Sequence, residues 1–463
     1  MKRNPKVGLL PLYLKLYDDI LPERREEFMP FLDEVVTSLA VESVDVVRAD
    51  VCRIASEFEQ AVELFKQEKV DLIVTLHLAY SPSLEAIYPL CGTEIPILML
   101  DTTMDEAFGP DVAAERIMYN HGIHGVQDLA CMLRRRGQPY RVVAGHYRNS
   151  KVIARAAQVA RGALAARKLL GSKALRIGPS FPGMGDFLVE SGVLSERLDM
   201  DVTQIPPGQL VAAIEALSDA EVGAEIEADH ERFQVEVEAD VHERSVRVGL
   251  GVRKMLAEGG FDCFSANFLA FDQTAGPVST VPFLEACKAM ERGVGYAGEG
   301  DVLTAGLVGA LASSFGRTTF TEIFCPDWQG ASLFLSHMGE INPEVMGGKP
   351  VLREKPFPYT PAQNPVVVSG APEPGPAVFV NLAPGPADRF GLIVAPVEIL
   401  PEVPNESLEQ SVRGWMRPRR AIPDFLEEFS RHGGTHHSAL VFGDCLEGLL
   451  AFADFADLDC VVI

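Results

Sequence analysis

Short apolar runs alternate with amphipathic stretches through the first third of the sequence, a second passage of the same kind follows, and after Glu322 the texture changes to Pro and Gly punctuation around β-rich runs. These observations predict an α/β protein with a Rossmann-like amino-terminal α/β domain (1–172), a central α/β domain (173–315) and a β-rich carboxyl domain (316–463). The 463-residue length agrees with roughly three domains at about 150 residues each.

In the first domain "KVGLLPLYL", "VESVDVVRA", "DLIVTLHLAY", "IPILMLD" and "YRVVAGHY" read as strands, and "EFEQAVELFKQE" as one of the helices between them. That alternation predicts a parallel, doubly wound sheet. In the second, "ALRIGPS", "MDVTQI" and "FDCFSANF" read as strands, "PGQLVAAIEAL" as a helix, and 227–257 as one long acidic helix. In the third, "NPVVVSGA", "GPAVFVNLAPG", "FGLIVAPVEIL", "HSALVFG" and "LDCVVI" carry the β pattern, with one helix before the last two and a long Pro-rich loop at 356–376.

The formal charge of −24, densest in 186–245, would repel polyanions, so neither nucleic acid nor a membrane is an expected partner. Eight scattered cysteines, without a CxxC pair, point to a reducing cytoplasm. The apolar "VGLLPLYLKLY" is far too short to span a bilayer and has no A-x-A-like cleavage site after it.

"GVGYAG", Gly293 to Gly298, matches GxGxxG. Dinucleotide binding needs a strand running into the glycines and a helix behind them, whereas these follow the helical run "FLEACKAMERG". The expectation is a turn between helices that delivers Glu299 to an edge, and no nucleotide cofactor.

Four positions then stand out, each where an element meets a turn: Glu299 in "GEGD", Glu322 in "FTEIF", His337 in "LSHMGEINP" and His437 in "GGTHHS". Two carboxylates and two imidazoles suit a divalent ion such as manganese, cobalt, iron or magnesium, and the lack of thiolates argues against a closed structural zinc. Four ligands on an octahedral ion leave two positions for adjacent oxygens of a hydroxy-carbonyl substrate. The plain alternative is that these are solvated or core polar groups, which scattered Glu and His residues usually are.

"GEGDVLTAGLV", the carboxylate in "FTEIF", "SHMGEINP" and "GGTHHSALVFGD" occur in that order and resemble the metal-site segments of the L-arabinose isomerase family. The resemblance covers most of the chain and is strongest over roughly the last 170 residues, where "GWMRPRRAIPDFLEEFSRHGGTHHSAL" is especially close. It implies that Glu299, Glu322, His337 and His437 bind the ion, manganese foremost. It also implies that the two glutamates serve as acid and base moving a proton between C1 and C2 of a sugar through an ene-diol. The glycines before His437 would let its backbone approach the ion, while His436 packs or hydrogen-bonds beside it.

"YNHGIHGVQDL" resembles the segment in which a histidine of one subunit reaches a neighbour's site, which implies a homotrimer or homohexamer with sites at subunit interfaces. His124 is the candidate there, with His121 where the family commonly carries glutamine. Three apart at a helix start, the two histidines share a face. Met184 in "FPGMGDF" and Phe268 in "SANF" fall where the family has apolar walls around the sugar. The family's amino-terminal sugar contacts are not reproduced. "LLPLYLKLYDD" offers Tyr13, Leu14 and Tyr17 instead, which puts the sugar in question more than the chemistry. The expected function is an aldose–ketose isomerase on a pentose or related sugar. Its rivals are an epimerase or lyase on the same scaffold and a non-catalytic sugar-binding protein, against which the paired glutamates speak.

Overall fold

In the computed structural model, which describes residues 3–463, the chain forms two compact units. One comprises Arg3–Arg167 and Glu447–Phe455; the other comprises Lys168–Leu446 and Ala456–Ile463.

The amino-terminal unit is built on five parallel strands, β1 (Lys6–Leu12), β2 (Asp45–Arg48), β3 (Leu72–His77), β4 (Ile97–Asp101) and β5 (Tyr140–Ala144), in the order β2-β1-β3-β4-β5. The predicted doubly wound, Rossmann-like sheet is therefore present. β3 is buried along its whole length, as a strand covered by helices on both faces must be. The helix Leu446–Phe455 closes this unit: a Cβ on Gly162 would lie 2.3 Å from the carbonyl of Gly448, and Arg155 pairs with Glu447 at 2.8 Å.

The larger unit holds three sheets. β6 (Lys173–Ile177), β7 (Asp201–Ile205), β9 (Cys263–Ala266) and β10 (Gly295–Gly298) are parallel in the order β10-β9-β6-β7. A small sheet pairs β8 (Gln234–Glu236) in parallel with β13 (Val351–Glu354), which runs antiparallel to β14 (Val366–Ser369). The third contains β11 (Thr318–Asp327), β12 (Ser332–Ser336), β15 (Gly375–Pro384), β16 (Phe390–Ile399), β17 (Gly414–Pro418) and β18 (His437–Phe442), in the order β15-β18-β11-β12-β17-β16. β16 pairs back onto β15, so these six strands close into a barrel; β19 (Asp459–Val462) adds to β16 in parallel.

Three sequence expectations are corrected. The predicted acidic helix 227–257 is two helices, Asp219–Arg232 and Ala239–Gly259, because the Phe233–Val237 run buries Phe233 and gives β8 to the small sheet. Residues 293–298 are not a turn between helices: Gly295–Gly298 is β10, and the helix Val302–Phe315 follows it. A Cβ on Gly295 would lie 1.9 Å from the carbonyl of Ala305 in that helix, so the glycines serve close strand–helix packing. The 356–376 stretch is not all loop, since it contains β14.

The two helices of the corrected segment and the helix Phe283–Glu291 enclose an ionic network. Lys288, 1% exposed, pairs with Glu225 (2.7 Å) and Asp229 (2.5 Å); Arg253 pairs with Glu225 (2.7 Å) and Glu285 (2.8 Å); His242 meets Asp229 at 2.9 Å. Burial opposes the charge on Glu225, but the Arg253 and Lys288 cations outweigh it and hold its pKa at about 2. Among the described residues no helix is long and apolar enough to cross a membrane.

Candidate metal centre

Register builds the site. Glu322 on β11 is the cross-strand partner of His437 on β18 and of Ser336 on β12, and His337 follows Ser336 directly at the end of that strand. Glu299 arrives from the carboxyl end of β10 in the left-handed region (φ 65°), between Gly298 and Gly300 (φ 87°). A non-glycine residue rarely adopts that conformation, and here its N–H is tied to the carbonyl of Ala266 at 3.1 Å.

The four sequence-predicted ligands fall in two groups that share His437. Donor atoms of Glu322, His337 and His437 lie within 4.8 Å of one another, and so do those of Glu299, His436 and His437. Each imidazole is held at Nδ1 by a carboxylate: His437 by Asp301 (3.0 Å), His337 by Glu340 (2.8 Å) and His436 by Asp186 (2.6 Å). Glu340 also accepts from the Tyr296 hydroxyl at 2.8 Å, and Asp301 caps the helix Val302–Phe315 by accepting from the Thr304 N–H. Such carboxylates fix the Nδ1–H tautomer and leave Nε2 as the donor atom for a metal. Phe187 stacks on His437 with ring centroids 4.9 Å apart, and the edge of Phe320 meets both His337 and His437.

The glycines of "GGTHH" shape the turn that leads from the helix Ile422–Arg431 into β18. Gly433 (φ 77°) ends the helix Ile422–Arg431, and a Cβ on Gly434 would strike the Phe429 ring. What brings His437 into place is Asn381 on β15. Its amide reaches the carbonyl of His437 at 2.7 Å, and its oxygen accepts from the Thr435 N–H at 3.1 Å.

These residues fit a divalent cation. Nε2 of His437 is buried without a hydrogen bond, 3.5 Å from Oε2 of Glu299. Burial pulls the His437 pKa down, but the bonded Asp301 and the neighbouring Glu299 push it up to about 9. The protein thus stabilises a positive charge at that nitrogen, as a proton or as a metal ion. The two glutamates are driven apart. Burial raises Glu322, whereas for Glu299 the surrounding His436, His437 and His337 overcome burial and lower the pKa to about 2.

Of the remaining candidates, Phe181 donates its N–H to the carbonyl of Glu299 (2.9 Å), and the Met184 N–H reaches back to the carbonyl of Phe181 (3.4 Å), so half-buried Met184 sits on a turn anchored at the cluster. Phe268 is buried, its ring 5.5 Å from that of Phe181. The other four lie in the amino-terminal unit. His124 is within the helix Ile123–Arg135 and His121 just precedes it, their rings 5.9 Å apart. Tyr17 bonds His121 through its hydroxyl (3.3 Å) and stacks edge-on against fully buried Tyr13; Leu14 caps the helix that begins at Lys15. Sequence reasoning did not single out Asp301, Glu340 or Asp186. The available signals were carboxylates two residues after Glu299, three after His337 and two after Met184.

The model of the L-arabinose isomerase central domain matches residues 193–314, and that of the L-arabinose isomerase C-terminal domain matches 317–459. The chain belongs to the L-arabinose isomerase family. Glu299 falls in the first matched stretch, and Glu322, His337, His436 and His437 in the second. Relatives in this family include the L-arabinose isomerase of Nocardioides sp., 28% identical over 85% of this chain and 80% of that one. That of Shouchella clausii is 26% identical over 89% and 86%, and that of Klebsiella pneumoniae 25% over 96% and 91%. Among solved structures, a periplasmic solute-binding protein from Actinobacillus succinogenes, 14% identical, covers 67% of this chain and 89% of that one. Its TM-score of 0.18 is too low to carry any argument beside the L-arabinose isomerase family match.

Proposed function

We propose that this member of the family is a metal-dependent aldose–ketose isomerase, acting on a pentose or related sugar. The observation that carries the reading is the convergence of two glutamates with oppositely displaced pKa values on carboxylate-held histidines. Environments that push two carboxyl groups apart are how one site keeps an acid and a base at the same pH. Glu299, Glu322, His337 and His437 would hold a divalent ion, manganese foremost, with cobalt, iron or magnesium as alternatives. When bound, that ion supplies Lewis-acid polarisation of the sugar's carbonyl.

The chain's own groups do the rest. Glu299, held ionised, takes the proton from the carbon next to the carbonyl. Glu322, whose pKa burial raises, delivers one to the carbonyl oxygen as the ene-diol forms, and the roles reverse in the second half. Met184 and Phe268 supply apolar surface along the sugar. His124, with His121, Tyr13 and Leu14 behind it, serves the site of a neighbouring copy in a trimer or hexamer.

The test is a screen of aldoses and ketoses with added Mn2+, followed by Glu299→Gln and Glu322→Gln on the sugar found. Each variant keeps an oxygen donor and loses a group that moves a proton. Turnover should fall by about 10²–10⁴-fold or more, with smaller changes in substrate binding and the ion retained. Near-normal turnover in both metal-loaded variants would overturn the mechanism. A product epimeric with the substrate, in place of the ketose, would assign the scaffold to an epimerase.

A further inference from the structure

The Pro-rich stretch that opens after β13 carries an exposed aromatic side chain that the fold does not account for. In "KPFPYTP", 355–361, the prolines at 356, 358 and 361 fix φ at three of seven positions. The loop is also tied down around its apex. Buried Phe357 donates its N–H to Oδ1 of Asn364 (3.0 Å), buried Thr360 donates its hydroxyl to the carbonyl of Phe271, and the Gln363 N–H reaches the carbonyl of Ser279 (2.8 Å). Between these anchors Tyr359 is 56% exposed, and among the described residues its hydroxyl has no hydrogen-bond partner. A stiff loop thus holds a large ring in solvent.

That ring ends an aromatic row that starts beside the cluster. Phe181, whose N–H is bonded to the carbonyl of Glu299, lies 5.5 Å from Phe268 between ring centroids. Phe268 lies 5.3 Å from Phe357 and 6.3 Å from Tyr359, and Tyr359 meets Phe357 edge-on at 5.1 Å. Phe268 and Phe357 are buried, so they fix the Tyr359 ring and leave its hydroxyl free. Such a ring offers a sugar two things, a flat apolar surface for its C–H groups and a polar tip for a hydroxyl. Held by prolines, it also loses little conformational freedom on binding. We propose that Tyr359 is a sugar-binding residue that sets selectivity at the end of the substrate remote from the reacting carbons, its hydroxyl bonding the sugar's terminal hydroxyl. The substrate is then an aldose that keeps that hydroxyl, in preference to its terminal-deoxy counterpart. This rests on the reading above, in which Phe268 is a wall of the sugar site.

Isomerisation kinetics of the full chain with added Mn2+ test it on three pairs of aldoses: L-arabinose and 5-deoxy-L-arabinose, D-xylose and 5-deoxy-D-xylose, and D-galactose and its 6-deoxy counterpart D-fucose. On the pair turned over best, wild type should prefer the hydroxylated sugar in kcat/KM by about three- to tenfold, the usual yield of one neutral hydrogen bond. Tyr359→Phe keeps the ring and should bring that ratio to within twofold of unity. Tyr359→Ala should raise KM by about tenfold with kcat within threefold and the thermal midpoint unchanged, because a remote, exposed contact made equally in ground and transition states affects binding alone. The inference is overturned if Tyr359→Phe keeps the wild-type ratio or if Tyr359→Ala leaves KM within twofold. Its failure is separable from that of the isomerase mechanism. Turnover lost in Glu299→Gln with Tyr359→Ala unchanged sinks this inference alone, the opposite pattern sinks the glutamate mechanism alone, and no turnover of any pair overturns both.

Discussion

At the scale of single residues, the cluster depends on carboxylates that hold its imidazoles. Glu340 is fully buried, takes the Tyr296 hydroxyl on one oxygen and His337 on the other, and so has one rotation available. Asp301, also fully buried, is shared between His437 and the amino end of a helix. Glu340→Gln and Asp301→Asn should therefore each weaken Mn2+ binding by about 10–100-fold in a direct titration; unchanged affinity in both would show that these contacts only pack. The proposed ligands are legible in the sequence, because Glu299, Glu322, His337 and His437 sit at turns and in segments that match a known family. Their orienters are not. That Asp301 meets His437, 136 residues away, is decided by where the end of β10 comes to lie beside β18, which no local spacing encodes.

At the scale of elements, period and punctuation identified most strands, and the failures share a cause. β10 is four residues, two of them glycine, so it carries no alternation to detect; it is a strand because its glycines admit the following helix. The break at 233–237 was hidden because flanking charges continue the helical pattern across a strand of three residues. Those charges have a thermodynamic consequence. The Glu225 pKa falls from its ordinary 4.5 to about 2 on folding, so the stability it contributes is complete above about pH 4.5 and disappears between there and about pH 2. Thermal unfolding followed from pH 7 to 2 should show the midpoint falling in that window. Glu225→Gln should start lower at pH 7 and respond less to acid; an identical pH dependence would remove Glu225 from the account.

At the scale of the whole molecule, the parallel Rossmann-like sheet and the β-rich end are present as expected, but nothing in periodicity announces that β15 and β16 close six strands into a barrel. Closure is a property of pairing between distant strands. The proposed role of His124 carries its own expectation: the active form should be at least trimeric in light scattering at assay concentration, and a fully active monomer would rule that role out. The path of the chain has a further consequence. Leu446 leaves the larger unit, Glu447–Phe455 completes the amino-terminal one, and Ala456–Ile463 returns to set β19 against β16. During synthesis, then, the amino-terminal sheet emerges from the ribosome early but must wait, without the helix that Gly162 is shaped to receive, until more than 400 residues have followed β1. The two units are finished almost together, so neither is a self-sufficient folding cassette that could be shuffled or expressed by cutting the chain once.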